Sequence, residues 1–120
     1  MRAWKLKNEE KMKCICEEGK ERLPVVQDIS KLEAMAELFK GLADPTRLQI
    51  ISLLLIEDLC MCEIVSALSA ANSTISHHLK IMEKGGIIKG RREGKFTIYR
   101  LEKEKVALMI EFLSKEGASK

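Results

Sequence analysis

A mainly helical chain with one small β-hairpin is the fold class this sequence predicts, and three observations predict it. Leu, Ile, Ala, Glu and Lys dominate a 120-residue chain with only two prolines, a balance that favours helix over sheet. Helix-start signals recur: Ser30 with Glu33 three residues on, and Asp44 followed by Pro45. Two short β-branched and apolar runs, Ile87-Ile88 and Phe96–Leu101, flank the turn Arg92-Glu93-Gly94-Lys95, the pattern of a hairpin.

The length suits one domain with tails: an N-terminal arm over 1–29, a domain over 30–116, and a short tail over 117–120. Apolar residues make up 46% and aromatics only 4%, so the core must be aliphatic, with Met filling gaps. The net charge of +3 is too mild to argue for nucleic acid. Its distribution says more, because Lys89–Arg100 gathers five basic residues and one acid. The longest apolar run, Leu48–Ile56, is interrupted by Gln49 and Ser52, and no stretch is long enough to span a bilayer. The first residues lack a signal-peptide pattern, so a cytoplasmic protein is expected, without membrane association. In that compartment four Cys point to metal or redox chemistry rather than a disulfide framework.

Taken in order, the arm is charged and lacks a clean apolar stripe, and is expected to be mobile with a helix over Asn8–Glu18. It carries Cys14 and Cys16. Residues two apart on a helix point about 200° apart, so both sulfurs meet one ion only if the arm is extended or locally turned. The first domain helix is expected to start at Ser30 as its cap, with Leu32, Met35, Leu38 and Phe39 as its stripe, and Gly41 ending or kinking it. Asp44 caps the second, with Pro45 in its first turn, and Leu48, Ile51, Leu54 and Leu55 are expected to bury it. A short third helix begins near Cys60 or Cys62 and turns its Ile64 and Leu68 inward. Ser69-Ala70-Ala71 makes a turn, and a fourth helix runs from about Asn72 to Lys84, stopped by Gly85-Gly86 at the left-handed position. After the hairpin, Glu102–Lys115 is a last amphipathic helix with Val106, Met109, Ile110 and Leu113 on one face. Leu108 and Phe112 widen that face, which fits either a dimer interface or packing on the domain's own core.

The fourth helix divides cleanly by face. Advancing about 100° per residue from Ile75 places Leu79 and Met82 beside it as the buried stripe. Ser73, Ser76, His77, Lys80 and Lys84 fall on the other side, a set of hydrogen-bonding groups with two cations and no acid. Such a face suits the major groove, with small polar groups for base edges and Lys for phosphates. His77 projects outward; His78 lies at the edge of the apolar stripe and is expected to be structural. Read alone, this face is also what a solvated helix surface looks like. The preceding short helix and turn, and the hairpin bearing Lys89, Arg91, Arg92 and Lys95, turn the reading to double-stranded DNA. Helix-turn-helix plus hairpin is a winged helix, and Ser73, Thr74, Ser76, His77, Lys80, Arg91, Arg92 and Lys95 are the candidate DNA contacts.

Gly41–Ile51 (GLADPTRLQII), Ser73–Ile88 (STISHHLKIMEKGGII) and Gly90–Leu101 (GRREGKFTIYRL), with Asp58-Leu59-Cys60-Met61-Cys62, resemble the ArsR/SmtB family of metal-responsive winged-helix repressors. The likeness spans roughly Ser30 to Leu113. It implies a dimeric winged helix-turn-helix repressor, a homodimer that binds a palindromic operator and leaves it when metal binds. One departure is Ala71, where many relatives have a capping Ser; Asn72 or Ser73 is expected to cap the helix instead.

Cys60-x-Cys62 resembles the thiolate motif that arsenic- and cadmium-responsive members carry on the third helix. A Cys at a helix N-terminus is expected to have a lowered pKa. Soft thiolates select Cd(II), Pb(II), Zn(II), Cu(I) or As(III). Free Cys is also commonly buried without chemistry, and it is the second pair, Cys14 and Cys16, that favours a metal site. The arsenic-type motif has a third Cys where this chain has Val65. The resemblance to cadmium/lead-type members implies that Cys14 and Cys16 complete the site, reaching the partner subunit's Cys60 and Cys62. A further family site of His and carboxylates on the last helix finds no His in Glu102–Lys115. No organic cofactor is expected. The alternative is a redox-sensing repressor of the same fold, in which the thiols form disulfides. An enzyme is disfavoured: there is no Cys-x-x-Cys, no His/Glu pair at helical spacing, and Ser76 and His77, adjacent on a helix, do not face each other.

Overall fold

The computed structural model describes residues 3–118, with the side chains of 108 and 112–118 outside the description. The elements run α1 (Glu9–Arg22), a 3-10 turn (Pro24–Gln27), α2 (Ile29–Leu42), α3 (Pro45–Leu54), β1 (Leu59–Cys60), α4 (Met61–Leu68), α5 (Asn72–Lys84), β2 (Ile88–Glu93), β3 (Phe96–Leu101) and α6 (Lys103–Ala118). The chain divides into two compact units, with the boundary inside α2 between Ala34 and Met35. None of the described helices is long and apolar enough to cross a membrane.

In the N-terminal unit α1 runs four residues beyond the Glu18 end read from the sequence. Asn8 caps it by accepting the Lys11 amide at 2.8 Å. Glu9 and Glu10 at its start, and Lys20 and Arg22 at its end, complement the helix dipole. It buries none of its residues. The α2 cap is Asp28 rather than Ser30. Asp28 Oδ1 accepts the Ser30 amide (3.1 Å), the Ser30 hydroxyl (2.8 Å) and the Lys31 amide (3.3 Å). A carboxylate outcompetes a hydroxyl for these donors, and Ser30 then serves as one of them.

The second unit is built around α5. Ile75, Leu79 and Met82 bury their side chains against Ile50, Ile51 and Leu54 of α3, Ile64 of α4, and Ile87, Ile88, Leu101 and Val106. Each such burial contributes about 1.5–3 kcal/mol. The expected face of α3 is corrected here: Arg47, Ile50, Ile51 and Leu54 are buried, while Leu48 is 39% exposed and Leu55 only partly covered. Gly41 neither ends nor kinks α2. It is buried within it, and a Cβ there would collide with Ile87 Cδ1. Gly85 permits a second close approach, since a Cβ would stand 2.7 Å from the Glu37 carbonyl oxygen.

The left-handed residue after α5 is Gly86, at φ 74°, with Gly85 still right-handed. Neither Asn72 nor Ser73 caps α5: Ala71 holds the cap position without a side-chain bond. The hairpin turn is tighter than expected, because β2 runs through Arg92 and Glu93 and leaves only Gly94-Lys95 between Glu93 and its partner Phe96. Gly94 takes φ 62°, as the first position of such a two-residue loop requires. A third strand joins this hairpin: β1 pairs antiparallel with β3, giving the order β1-β3-β2. In α6, Val106 is buried and Met109 and Ile110 pack partly against the core. Leu108, Phe112 and Leu113, assigned from the sequence to the same apolar face, fall outside the described side chains.

Candidate nucleic-acid interface and cysteine pair

α4, the turn at 69–71 and α5 form a helix-turn-helix. Ser69, at φ 51°, turns the chain out of α4. The apolar stripe of α5 fixes its rotation, so Ser73, Thr74, His77 and Lys80 stand exposed and Ser76 half-buried. Lys84 instead lies 3.7 Å from Glu37 across to α2. His78 is turned inward, where its Nδ1 lies 2.9 Å from Arg47 Nη1. Arg47 Nη2 also donates to the carbonyls of Lys40 (3.2 Å) and Ala43 (3.5 Å), tying the end of α2 to the back of α5. Burial, joined by nearby Arg47 and His77, draws the His78 pKa below its ordinary value against the pull of Asp44 at 3.9 Å. His78 is therefore neutral at pH 7, with Nδ1 accepting from Arg47.

The wing carries Arg91, Arg92 and Lys95 exposed. They are not equally free. Arg92 Nη2 donates to the Gly94 carbonyl at 3.3 Å, and Lys95 lies 5.6 Å from the Phe96 ring centroid, so both stay at the tip. Arg91 is held by two carboxylates, Nε to Glu93 Oε2 (2.6 Å) and Nη1 to Asp58 Oδ2 (3.0 Å). The sequence reading passed over Asp58, Glu93 and Arg47. Alternation along β2 puts Arg91 and Glu93 on one face, which was a readable signal; nothing local marks Asp58 as their partner.

Cys60 ends β1 and Cys62 lies in the first turn of α4, so the pair straddles an element boundary. Cys60 occupies the N-cap of α4 in a capping-box arrangement, its amide donating to Glu63 Oε1 at 3.0 Å. The two sulfurs are 3.1 Å apart, Cys60 buried and Cys62 exposed. The expected lowering of the Cys60 pKa is overturned. Hydrogen bonding to the Cys62 sulfur pushes it up, and burial adds to this, outweighing the lowering by the Glu63 amide. Ligation of an ion by Cys60 must therefore displace a proton. Cys14 and Cys16 are both exposed on α1, where their two-residue spacing keeps them from facing one point. Among the described residues no cluster of three or more His, Cys, Asp or Glu gathers as a metal site. The one pairing of cysteines seen is that of two thiols, the donor type a soft ion takes.

An aliphatic helix-turn-helix with a polar outward helix face and a basic hairpin beside it defines a winged helix-turn-helix DNA-binding protein. Comparison with known proteins agrees. Residues 44–89 match the model of the bacterial regulatory protein, arsR family. An uncharacterised HTH-type transcriptional regulator of Methanocaldococcus jannaschii is 41% identical over 86 residues, covering 71% of this chain and 97% of that protein. A cadmium resistance transcriptional regulatory protein CadC homolog of Staphylococcus aureus is 38% identical over 88 residues, 71% of this chain and 73% of its own length. Among solved structures, the homodimeric winged helix-turn-helix DNA-binding domain of a possible ArsR-family regulator from Mycobacterium bovis superposes with a TM-score of 0.68 at 29% identity, covering 77% of this chain and 85% of that one. The chain belongs to the ArsR/SmtB family of DNA-binding transcriptional regulators, which are not enzymes.

Proposed function

We propose that this chain is a metal-responsive transcriptional repressor that binds a palindromic operator as a homodimer and is released when a soft ion reaches its thiols. The observation that carries the reading is the 3.1 Å approach of Cys60 and Cys62 at the N-terminus of α4, directly before the helix-turn-helix. Ser73, Thr74, Ser76, His77 and Lys80 of α5 face the major groove, and Arg91, Arg92 and Lys95 of the wing meet the adjacent backbone. Exposed Met35 and Phe39 on α2 support burial against a second copy, and the homodimeric M. bovis domain supports the same assembly.

Cys60 and Cys62 supply two thiolates, with Cys14 or Cys16 of α1 as further donors. The cadmium-resistance relative favours Cd(II) among Cd(II), Pb(II), Zn(II) and As(III). For release to follow, the ion must bind the DNA-free arrangement of the dimer more tightly than the DNA-bound one. The test is a Cd(II) titration of the reduced protein, followed by ultraviolet thiolate-to-metal absorption and by operator release. Cys60→Ser and Cys62→Ser are expected to abolish both, and Cys14→Ser or Cys16→Ser to weaken them. Unchanged induction in all four variants would sink the assignment.

The short sulfur–sulfur distance also favours a second reading, since disulfide formation needs closure only to about 2.05 Å. Operator release by peroxide, without Cd(II) absorption, would make the chain a redox-sensing repressor instead.

A further inference from the structure

The three-stranded sheet places the cysteine pair and the wing at one register. Cys60 of β1 pairs with Ile98 of β3, and Ile98 pairs in turn with Arg91 of β2. Directly paired residues share a face of an antiparallel sheet, so these three side chains stand in a row across it. Asp58, two residues before Cys60, reaches along that row to Arg91 Nη1 at 3.0 Å. Glu93 holds Nε from the other side at 2.6 Å. Two carboxylates thus surround one guanidinium on the edge of a DNA-binding wing. Their summed charge is −1, which repels a phosphate.

We propose that Asp58 is a positioning residue that withholds Arg91 from DNA and passes the state of the Cys60–Cys62 pair to the wing. The β1 strand is two residues long, with Asp58 at one end and Cys60 at the other. A change in the position of Cys60 therefore moves the Asp58 carboxylate against Arg91. When Arg91 turns to a phosphate, Asp58 must release it; when Asp58 is drawn onto Arg91, the phosphate contact is lost. The withholding of Arg91 depends only on the sheet and the ion pairs, whereas its link to the thiols rests on the metal-sensing reading above.

The test is a double-mutant cycle on the full chain, using Asp58→Asn, Arg91→Gln and the double variant, with folding checked by circular dichroism. Operator affinity is measured against salt, with and without Cd(II). Without metal, Asp58→Asn is expected to tighten operator binding about five-fold and to steepen the salt dependence by about two, one phosphate contact per protomer. In the Arg91→Gln background that gain falls to less than half, and Asp58→Glu restores wild-type behaviour. With Cd(II), the fold-loss of operator affinity in Asp58→Asn drops to a third or less of the wild-type loss, at unchanged thiolate absorption. An equal gain from Asp58→Asn with and without Arg91 would overturn the withholding of Arg91. An undiminished Cd(II) effect in Asp58→Asn would overturn the link to the thiols. If wild type shows no Cd(II) absorption, the metal-sensing reading falls, and the metal-free cycle alone decides the role of Asp58.

Discussion

Arg47 and His78 are a buried polar pair in a core that is otherwise aliphatic, and they bind the end of α2 to the back of the recognition helix. Removing Arg47 leaves His78 Nδ1 and the carbonyls of Lys40 and Ala43 without this donor. Arg47→Ala is expected to destabilise the fold by about 2–3 kcal/mol, since the lost bonds are charged and largely desolvated; urea unfolding measures it. His78 also adds a pH dependence of definite sign. Its folded pKa lies below the ordinary value, so between the two the unfolded chain binds the proton first. Stability is expected to be flat for this group above about pH 7, to fall as pH drops below about 6.5, and to level off below the folded pKa. Unfolding at pH 7.5 and 5.5 should show a smaller loss in His78→Gln than in wild type. Equal losses would remove His78 as the source.

At the scale of elements, the helix-turn-helix is stabilised at its ends, and one of those ends is strained. Ser69 holds φ 51°, a conformation that costs an L residue with a Cβ about 1–2 kcal/mol. Ser69→Gly is expected to raise stability by about 0.5–1 kcal/mol, and Gly85→Ala, which drives a methyl into the Glu37 carbonyl, to lower it by about 1–3 kcal/mol. Thermal melts order the three proteins. How well each element can be read from the sequence follows from how local its causes are. Asp44 with Pro45 specifies the start of α3, and the stripe Ile75, Leu79, Met82 with Gly85-Gly86 specifies α5 over Asn72–Lys84, because cap, period and stop all lie within the segment. The face of α3 was not legible: Leu48, Ile50, Ile51, Leu53, Leu54 and Leu55 are apolar nearly all round, and only the neighbours select Ile50 over Leu48. β1 was not legible either, because two residues carry no alternation and the strand exists through the edge of β3. At the thiols the Cys-x-Cys pair was plain, but the raised pKa of Cys60 comes from the sulfur of Cys62, a distance that spacing does not reveal.

For the whole molecule, the proposed interface predicts a salt law. Arg92 and Lys95 stand at the wing tip, and each occurs twice in a homodimer. Replacing either by Gln is expected to reduce the slope of log affinity against log salt by about two, at little cost in sequence preference, as for contacts to phosphate alone. His77→Ala is expected to act the other way, blunting discrimination between operator and mismatched DNA while leaving the slope nearly unchanged. Binding isotherms at several salt concentrations separate the two. The order β1-β3-β2 has a further consequence, for self-association. With both flanks of β3 paired, β2 is left as the outer strand of this sheet, a row of backbone donors and acceptors on which another chain could template itself. Along it stand Lys89, Arg91 and Arg92, so a second wing laid edge to edge would set like charges side by side. The cations assigned here to holding DNA also keep the free protein from polymerising through its wings.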